Sequence, residues 1–194
     1  IGPSADSMNL CGDKMRCKAA MLKADVPTVP GSPGIVDDAQ QAEKIANEIG
    51  YPVLLKSVYG GGGRGIRLVT NDKELQDGFD TVTSESIAAV GKSAIIVEKF
   101  LEKTRHIEYQ MCRDHHGNAV HLFERECSIQ RRNQKLIEQT PSPAVDEAKR
   151  EEIGELVVKA AEAVDYTNLG TAEFLRADNG EFYFIEINAR LQVE

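Results

Sequence analysis

The chain has 194 residues, 41% of them hydrophobic and 28% charged, the balance of a globular protein with a real core in one or two domains. A net charge of −8 speaks against nucleic acid as a partner, since phosphate binding needs concentrated basic charge. No apolar run reaches membrane-spanning length, no signal peptide is present, and four cysteines without a CxxC pair suit a reduced, cytosolic setting better than a disulfide framework.

In chain order, residues 1–25 read as two short helices, one capped by Ser4 over residues 5–10 and one started by Asp13. Lys14 lies in the first turn of the second, the wrong end of a helix dipole for a cation. Residues 26–34, VPTVPGSPG, read as a linker or hinge. Residues 37–49 form an amphipathic helix stopped by Gly50. YPVLLKS (51–57) is a short buried strand carrying one lysine, Lys56. The glycine-rich run 60–65 follows and leads into a strand at 66–69. It fits neither GxGxxG nor GxxxxGKS, yet a glycine turn between strands can lay backbone N–H groups over phosphates.

Residues 71–90 are expected to be mainly helix, capped by Asn71 or Asp72, and 94–97 a strand ending in Glu98, Lys99, Phe100 and Leu101. Residues 105–112 and 119–129 read as a hairpin across 114–118. SIQRRNQK (128–135) is a basic cluster in an acidic protein and points to a small anionic substrate. Residues 146–164 read as the longest helix. None of the four histidines has zinc-ligand spacing.

The stretch GTAEFLRADNGEFYFIEINARLQVE (170–194) carries the chemistry. Asn179-Gly180 predicts a two-residue type I′ hairpin loop, with Asp178 opposite Glu181 and Glu173 opposite Glu186. Two opposed carboxylates destabilise a hairpin, and a divalent cation is the simplest offset. Glu186, Asn188, Arg190, Gln192 and Glu194 share one parity, while Ile185, Ile187, Ala189, Leu191 and Val193 share the other. A strand with a polar front and an oily back, running on to residue 194, is expected. The chain begins without Met and stops in mid-pattern, so it reads as a piece of a longer one.

YPVLLKSVYGGGGRG and FIEINARL resemble the two signatures shared by the carboxylase and carbamoyl-phosphate branch of ATP-grasp enzymes. ERECSIQRRNQK, EKFLEKTRHIEYQ and EINARLQVE narrow the resemblance to the biotin carboxylases, the components of acetyl-CoA, propionyl-CoA and pyruvate carboxylases that carboxylate biotin. Carbamoyl-phosphate synthetases share the Glu-x-Asn-x-Arg core but not the following Gln-Val-Glu.

The resemblance implies an α+β, ATP-grasp fold. Residues 1–28 would be a helical connector from an N-terminal domain outside this sequence. Residues 29–100 would be the lid subdomain, and 101–194 the first part of the antiparallel-sheet C-terminal subdomain. It implies that Lys14 and Lys56 contact ATP phosphates and that Gly62 and Gly63 close over them. Glu98, Lys99, Phe100 and Leu101 would form the adenine-side hinge, and His106, Gln130 and Asn133 would line the nucleotide. Glu173, Glu186 and Asn188 would hold Mg²⁺ or Mn²⁺. Lys135, Arg190, Gln192 and Val193 would surround bicarbonate, with Glu194 the general base and Lys135 and Arg190 catalytic beside it. Asn133 stands where many relatives carry His, and this Asn occurs in propionyl-CoA carboxylase-like members, which hints at the acceptor.

The implied reaction is ATP-dependent carboxylation of biotin on a carrier protein or domain, through carboxyphosphate, with a separate carboxyltransferase receiving the product. A homodimer of the intact protein stays open, and the setting is cytoplasmic, or the mitochondrial matrix in a eukaryote. Two other readings remain: another ATP-grasp ligase that activates a carboxylate or bicarbonate, or a nucleotide-binding module without turnover. Neither nucleic acid nor membrane is an expected partner.

Overall fold

The computed structural model describes residues 2–59, 65–132 and 134–192. They form two compact units, one of residues 29–101 and one that joins 1–28 with 102–194.

Helices α1 (Ala5–Gly12) and α2 (Lys14–Lys23) open the larger unit. Ser4 caps α1 by accepting from the Ser7 N–H, and Asp13 caps α2 by accepting from the Met15 and Arg16 N–H groups. Both caps satisfy donors that a helix start leaves unpaired.

The smaller unit contains α3 (Ala39–Ile49), β1 (Val53–Ser57), β2 (Ile66–Val69), α4 (Asp72–Val90) and β3 (Ile95–Lys99). Gly50 (φ +79°) stops α3, and Asn71 caps α4. The strands form an antiparallel sheet in the order β2-β1-β3. Val53, Leu55 and Val97 of the sheet and Ala42, Ala46, Leu75, Phe79 and Val82 of the helices share one buried core. The Pro/Gly stretch is not a free linker. The Lys99 N–H donates to the Pro30 carbonyl at 2.7 Å, Ser32 N–H to Val97 at 2.8 Å and Val36 N–H to Ile95 at 2.8 Å. Prolines and glycines keep it from becoming a regular strand, yet it still supplies partners to the β3 edge. At Gly31 a Cβ would lie 2.3 Å from the Val97 carbonyl oxygen, so only glycine fits.

The larger unit continues with β4 (Arg105–Arg113), β5 (Ala119–Arg131), β6 (Gln134–Gln139), α5 (Glu147–Ala163), β7 (Asn168–Arg176) and β8 (Phe182–Asn188). Its five strands are antiparallel in the order β6-β5-β4-β7-β8. Period-two alternation gives the sheet one apolar face. Ile107, Tyr109 and Met111 of β4, Ala172 and Phe174 of β7, and Phe184 and Ile187 of β8 pack with Met21 of α2 and Ile153 and Val157 of α5. Tyr109, Phe174 and Phe184 meet edge to face at 6.2 and 5.8 Å. A bidentate ion pair ties α5 to β5 on this side: Arg150 Nε and Nη2 donate to Glu124 at 2.7 and 2.8 Å. Glu124 is fully buried and also accepts from the Ser142 N–H.

Several expectations are corrected. The longest described helix is α4, 19 residues against 17 in α5, and strand β6 had no counterpart in the sequence reading. The 178–180 turn is a three-residue loop. Ala177 accepts from the Gly180 N–H and donates to the Glu181 carbonyl, with Gly180 at φ +87°. Glu173 nevertheless stands opposite Glu186, because a bulge shifts the register by one between Glu173 and Phe174. The longer loop and the bulge cancel. The bulge also moves Ile185 off the oily face, so that Phe182, Phe184 and Ile187 are buried while Ile185 is exposed. Strand β8 ends at Asn188, so the expected strand through 194 is not present in the described residues 189–192. Among the described residues no helix is long and apolar enough to cross a membrane.

Candidate active site

The other face of the larger sheet is polar. Glu108 on β4 stands opposite Glu173 on β7, and Glu173 opposite Glu186 on β8. Three carboxylates therefore form a row across three adjacent strands, an arrangement that repels itself unless cations intervene. Cations do intervene. The Lys135 ammonium on β6 donates to Glu108 and, at 2.7 Å, to Glu173 Oε1. Arg125 Nε on β5 donates to Glu108 Oε1 at 2.6 Å, and its Nη1 to Gln110 at 3.0 Å. His106 Nε2 lies 2.8 Å from Glu173 Oε2. Asn188 Nδ2 donates to Glu173 Oε1 at 2.6 Å. Gln130 extends the network, with Nε2 at 3.1 Å from His106 Nδ1 and at 2.8 Å from the Cys127 carbonyl.

This wiring sets the protonation states. Burial alone would raise the Glu173 carboxyl, but His106 and Lys135 outweigh it and hold the group down at about 2. For Lys135 burial works toward the neutral amine, and the carboxylates of Glu108 and Glu173 overcome it and raise the group. Glu173 and Lys135 thus hold each other in their charged forms.

Of the residues expected to act, His106, Gln130, Lys135, Glu173, Glu186 and Asn188 come together on this face. Two further participants were missed, Glu108 and Arg125. The signal for Glu108 was present: in RHIEYQMC it shares the parity of His106 and Gln110, while Ile107, Tyr109 and Met111 take the other. Arg125 sits in the charged run ERE, where parity alone does not say which charge belongs to which face. Arg190 is exposed beyond the end of β8 and Gln192 half-buried; neither continues the strand face.

Lys14 is exposed in the first turn of α2. In the smaller unit Lys56 Nζ donates to Glu98 Oε2 at 2.5 Å, a diagonal pair across β1 and β3. The Lys99 ammonium donates to the Gly50 and Tyr51 carbonyls at 2.9 Å each, so this side chain closes the end of α3. Phe100 and Leu101 are half-buried, and the Phe100 N–H donates to the Pro52 carbonyl at 3.0 Å. Gly62, Gly63, Asn133, Val193 and Glu194 lie outside the described residues.

The donor set suits a hard divalent ion. Glu173, Glu186 and the side-chain carbonyl of Asn188 offer oxygen ligands from two adjacent strands, which magnesium and manganese accept. His106, Glu108 and Glu173 also bring ligand atoms within 4.8 Å of one another. Lys135 supplies positive charge between Glu108 and Glu173.

Residues 13–194 match the family model described as carbamoyl-phosphate synthase L chain, ATP-binding domain. Over its whole length the chain is 51% identical to a biotin carboxylase of Nostoc sp., of which it spans 43%. It is similar to the biotin carboxylase of Campylobacter jejuni, solved as a β-γ-ATP complex, with 49% identity and a TM-score of 0.93 over the whole chain and 43% of that protein. It is also similar to the dimeric biotin carboxylase domain of Hydrogenobacter thermophilus 2-oxoglutarate carboxylase, solved with MgADP, ADP and bicarbonate. There the identity is 50% and the TM-score 0.92, over the whole chain and 43% of that protein. The chain thus spans less than half the length of these relatives. With 182 consecutive residues matched, an antiparallel polar sheet face of the kind expected, and relatives at half identity throughout, the chain belongs to the ATP-grasp family of carbamoyl-phosphate synthase L chain ATP-binding domains, as a fragment of its biotin carboxylase branch.

Proposed function

We propose that this chain is the part of a biotin carboxylase that binds Mg-ATP and bicarbonate, and that the intact protein uses ATP to carboxylate biotin on a carrier protein or domain. The observation that carries the reading is the row Glu108–Glu173–Glu186, with Lys135 donating into it and Asn188 beside it. Such a row suits a site that receives a divalent cation and polyanionic phosphates together. Glu173, Glu186 and Asn188 hold Mg²⁺ or Mn²⁺; when bound, the ion neutralises charge on the transferring phosphoryl group.

Lys135 uses two of its three N–H donors on Glu108 and Glu173, which leaves one for an anion. That donor, with Arg190, Gln192 and Val193, receives bicarbonate. Glu194 takes the bicarbonate proton, and the oxyanion attacks the γ-phosphorus to give carboxyphosphate and ADP. Carboxyphosphate releases CO₂, and the phosphate left behind removes the ureido proton of biotin. Arg190 offers a rigid fork of donors to the charge that develops. His106, Gln130 and Asn133 line the nucleotide, and Lys14, Lys56, Gly62, Gly63 and residues 98–101 complete its contacts. For Lys99 that contact is through the backbone, since its ammonium is engaged at the end of α3.

The reading extends to a carboxyltransferase as the consumer of carboxybiotin, and to a homodimer of the kind described for the Hydrogenobacter relative. A cytoplasmic or matrix setting fits the four free thiols. The test is ADP release by the full-length protein with and without bicarbonate and biotin. Release that needs both, and that falls roughly a hundredfold or more in Glu194→Gln with MgATP affinity retained, is expected of a general base. Equal losses with and without bicarbonate would assign Glu194 to nucleotide binding, and release indifferent to biotin would favour another ATP-grasp ligase.

A further inference from the structure

Arg125 has no part in the chemistry proposed above, yet it is built into the middle of the polar face. Strand β5 sets it directly opposite Glu108 of β4, which in turn stands opposite Glu173 of β7. Its guanidinium is turned into protein. Nε donates to Glu108 Oε1 at 2.6 Å, Nη1 to Gln110 Oε1 at 3.0 Å and Nη2 to Thr171 Oγ1 at 3.3 Å. Gln110 is held in its turn, donating to the Gly170 carbonyl at 2.9 Å. Glu138 Oε2 of β6 lies 3.7 Å from the same Nε. Glu108 is fully buried, and both of its oxygens are engaged by cations, Oε1 by Arg125 and Oε2 by the Lys135 ammonium. Lys135 starts from β6, two strands away from β4, so its side chain must cross β5 to reach Glu108 and Glu173. A flexible four-carbon stem over that distance aims its ammonium only as well as its acceptors are fixed. Glu173 is shared with the metal set, whereas Glu108 is held by protein alone.

We propose, on the reading that Lys135 receives bicarbonate, that Arg125 is a positioning residue for the bicarbonate step: through Glu108 it fixes the Lys135 ammonium so that its third N–H donor faces the anion. Charges alternate along the line, Arg125 positive, Glu108 negative, Lys135 positive, Glu173 negative, and each attracts the next. The planar fork of Arg125 does more than neutralise Glu108. One nitrogen holds the carboxylate while the other two are anchored on β4 through Gln110 and on β7 through Thr171, so the carboxylate is held in orientation as well as in charge. Without the fork, Glu108 keeps Lys135 as a partner, but the two turn together and the ammonium is no longer aimed. Binding and attack of bicarbonate suffer. The nucleotide, held by other residues, is little affected.

The test is ADP release by the full-length protein in the presence of biotin, with KM and kcat measured separately for bicarbonate and for MgATP. In Arg125→Lys, which keeps the charge and loses the fork, kcat/KM for bicarbonate is expected to fall roughly ten- to a hundredfold, the order that a misplaced group costs, with the KM for MgATP within about threefold of wild type. Glu108→Gln is expected to lose in the same parameter. Adding Arg125→Lys to it is expected to cost no more than about twofold further, because the arginine acts through that carboxylate. An unaltered kcat/KM for bicarbonate in Arg125→Lys overturns the positioning role. So do equal losses toward both substrates, or losses that add in full in the double variant, since either would make Arg125 a general support of the sheet. If Arg125→Lys fails to fold, Thr171→Val removes only the outermost hydroxyl of the network. It is expected to show a smaller loss confined to bicarbonate, and no loss or an equal loss toward MgATP counts against the proposal. Wild-type release that needs neither bicarbonate nor biotin overturns the underlying function and the positioning role with it, whereas normal wild-type release beside an unaffected variant overturns the positioning role alone.

Discussion

Glu173 shows how a single residue's environment can reverse a simple expectation. Opposed carboxylates repel, so removing one looks stabilising from register alone. In the fold Glu173 accepts from Lys135 and Asn188 and faces His106, and its loss takes one of two carboxylates from a half-buried ammonium. Glu173→Gln is therefore expected to cost the metal-free protein roughly 1–3 kcal/mol. Glu186 makes no side-chain hydrogen bond among the described residues, so Glu186→Gln is expected to hold or gain stability. Denaturant titration in EDTA distinguishes the two, and equal losses would mean that the row is not organised around Glu173.

The same residue gives a pH signature. Its folded-state value is about 2 against an ordinary 4.5, so its contribution is complete above 4.5 and disappears as pH falls through 2. The stability gap between wild type and Glu173→Gln is expected to be constant from pH 7 to 5 and to close below 4.5. A gap that stayed open at pH 2 would place its origin in packing rather than charge.

At the scale of elements, α5 is held to the sheet by apolar contacts and by the buried Glu124–Arg150 pair. Removing one partner leaves a charge in the interior, with a cost of about 3–5 kcal/mol. Arg150→Met is expected to lose that much, and the double change Arg150→Met with Glu124→Leu to recover a substantial part. A double-mutant cycle in urea measures this, and strictly additive losses would show that the two side chains act independently. The Pro/Gly stretch beside β3 gives a second expectation. Gly31→Ala forces a methyl into the Val97 carbonyl and is expected to destabilise by roughly 1–3 kcal/mol, whereas Gly34, with nothing within 4 Å of its Cβ position, tolerates Ala. Thermal melting of both variants checks the contrast, and similar midpoints would mean that the stretch does not rest on β3.

At the scale of the whole molecule, an acidic chain of net charge −8 gathers Lys135, Arg125 and His106 on one sheet face around three carboxylates. The residues proposed for metal and phosphate are therefore present in a chain that spans less than half the length of its relatives. The 194-residue chain alone is expected to bind MgATP weakly and not to carboxylate free biotin. Calorimetry and a bicarbonate-fixation assay test this, and robust fixation by the chain alone would show that residues 1–194 suffice for the reaction.

The sequence by itself determined what depends on near neighbours in the chain. Ser4 and Asp13 were placed at helix starts and Asn71 or Asp72 at a third, and Ser4, Asp13 and Asn71 do cap, because a cap bonds only two or three residues ahead. Residues 105–112 and 119–129 were read as a hairpin, and they pair as antiparallel strands, because a short turn joins neighbours in the chain. The opposed pair Glu173–Glu186 was also legible, but only because a longer loop and a bulge cancelled. Tertiary structure decided the rest. Glu108 became a site residue only when β4 paired with β7 and β6 came round to bring in Lys135, contacts spanning 65 and 27 residues. Lys99 became a helix-closing side chain only because β3 runs beside the end of α3. Local hydrogen bonds can be read along a chain. Which charges neutralise one another depends on strand order and on the exclusion of water from the pair, and both exist only in the folded molecule.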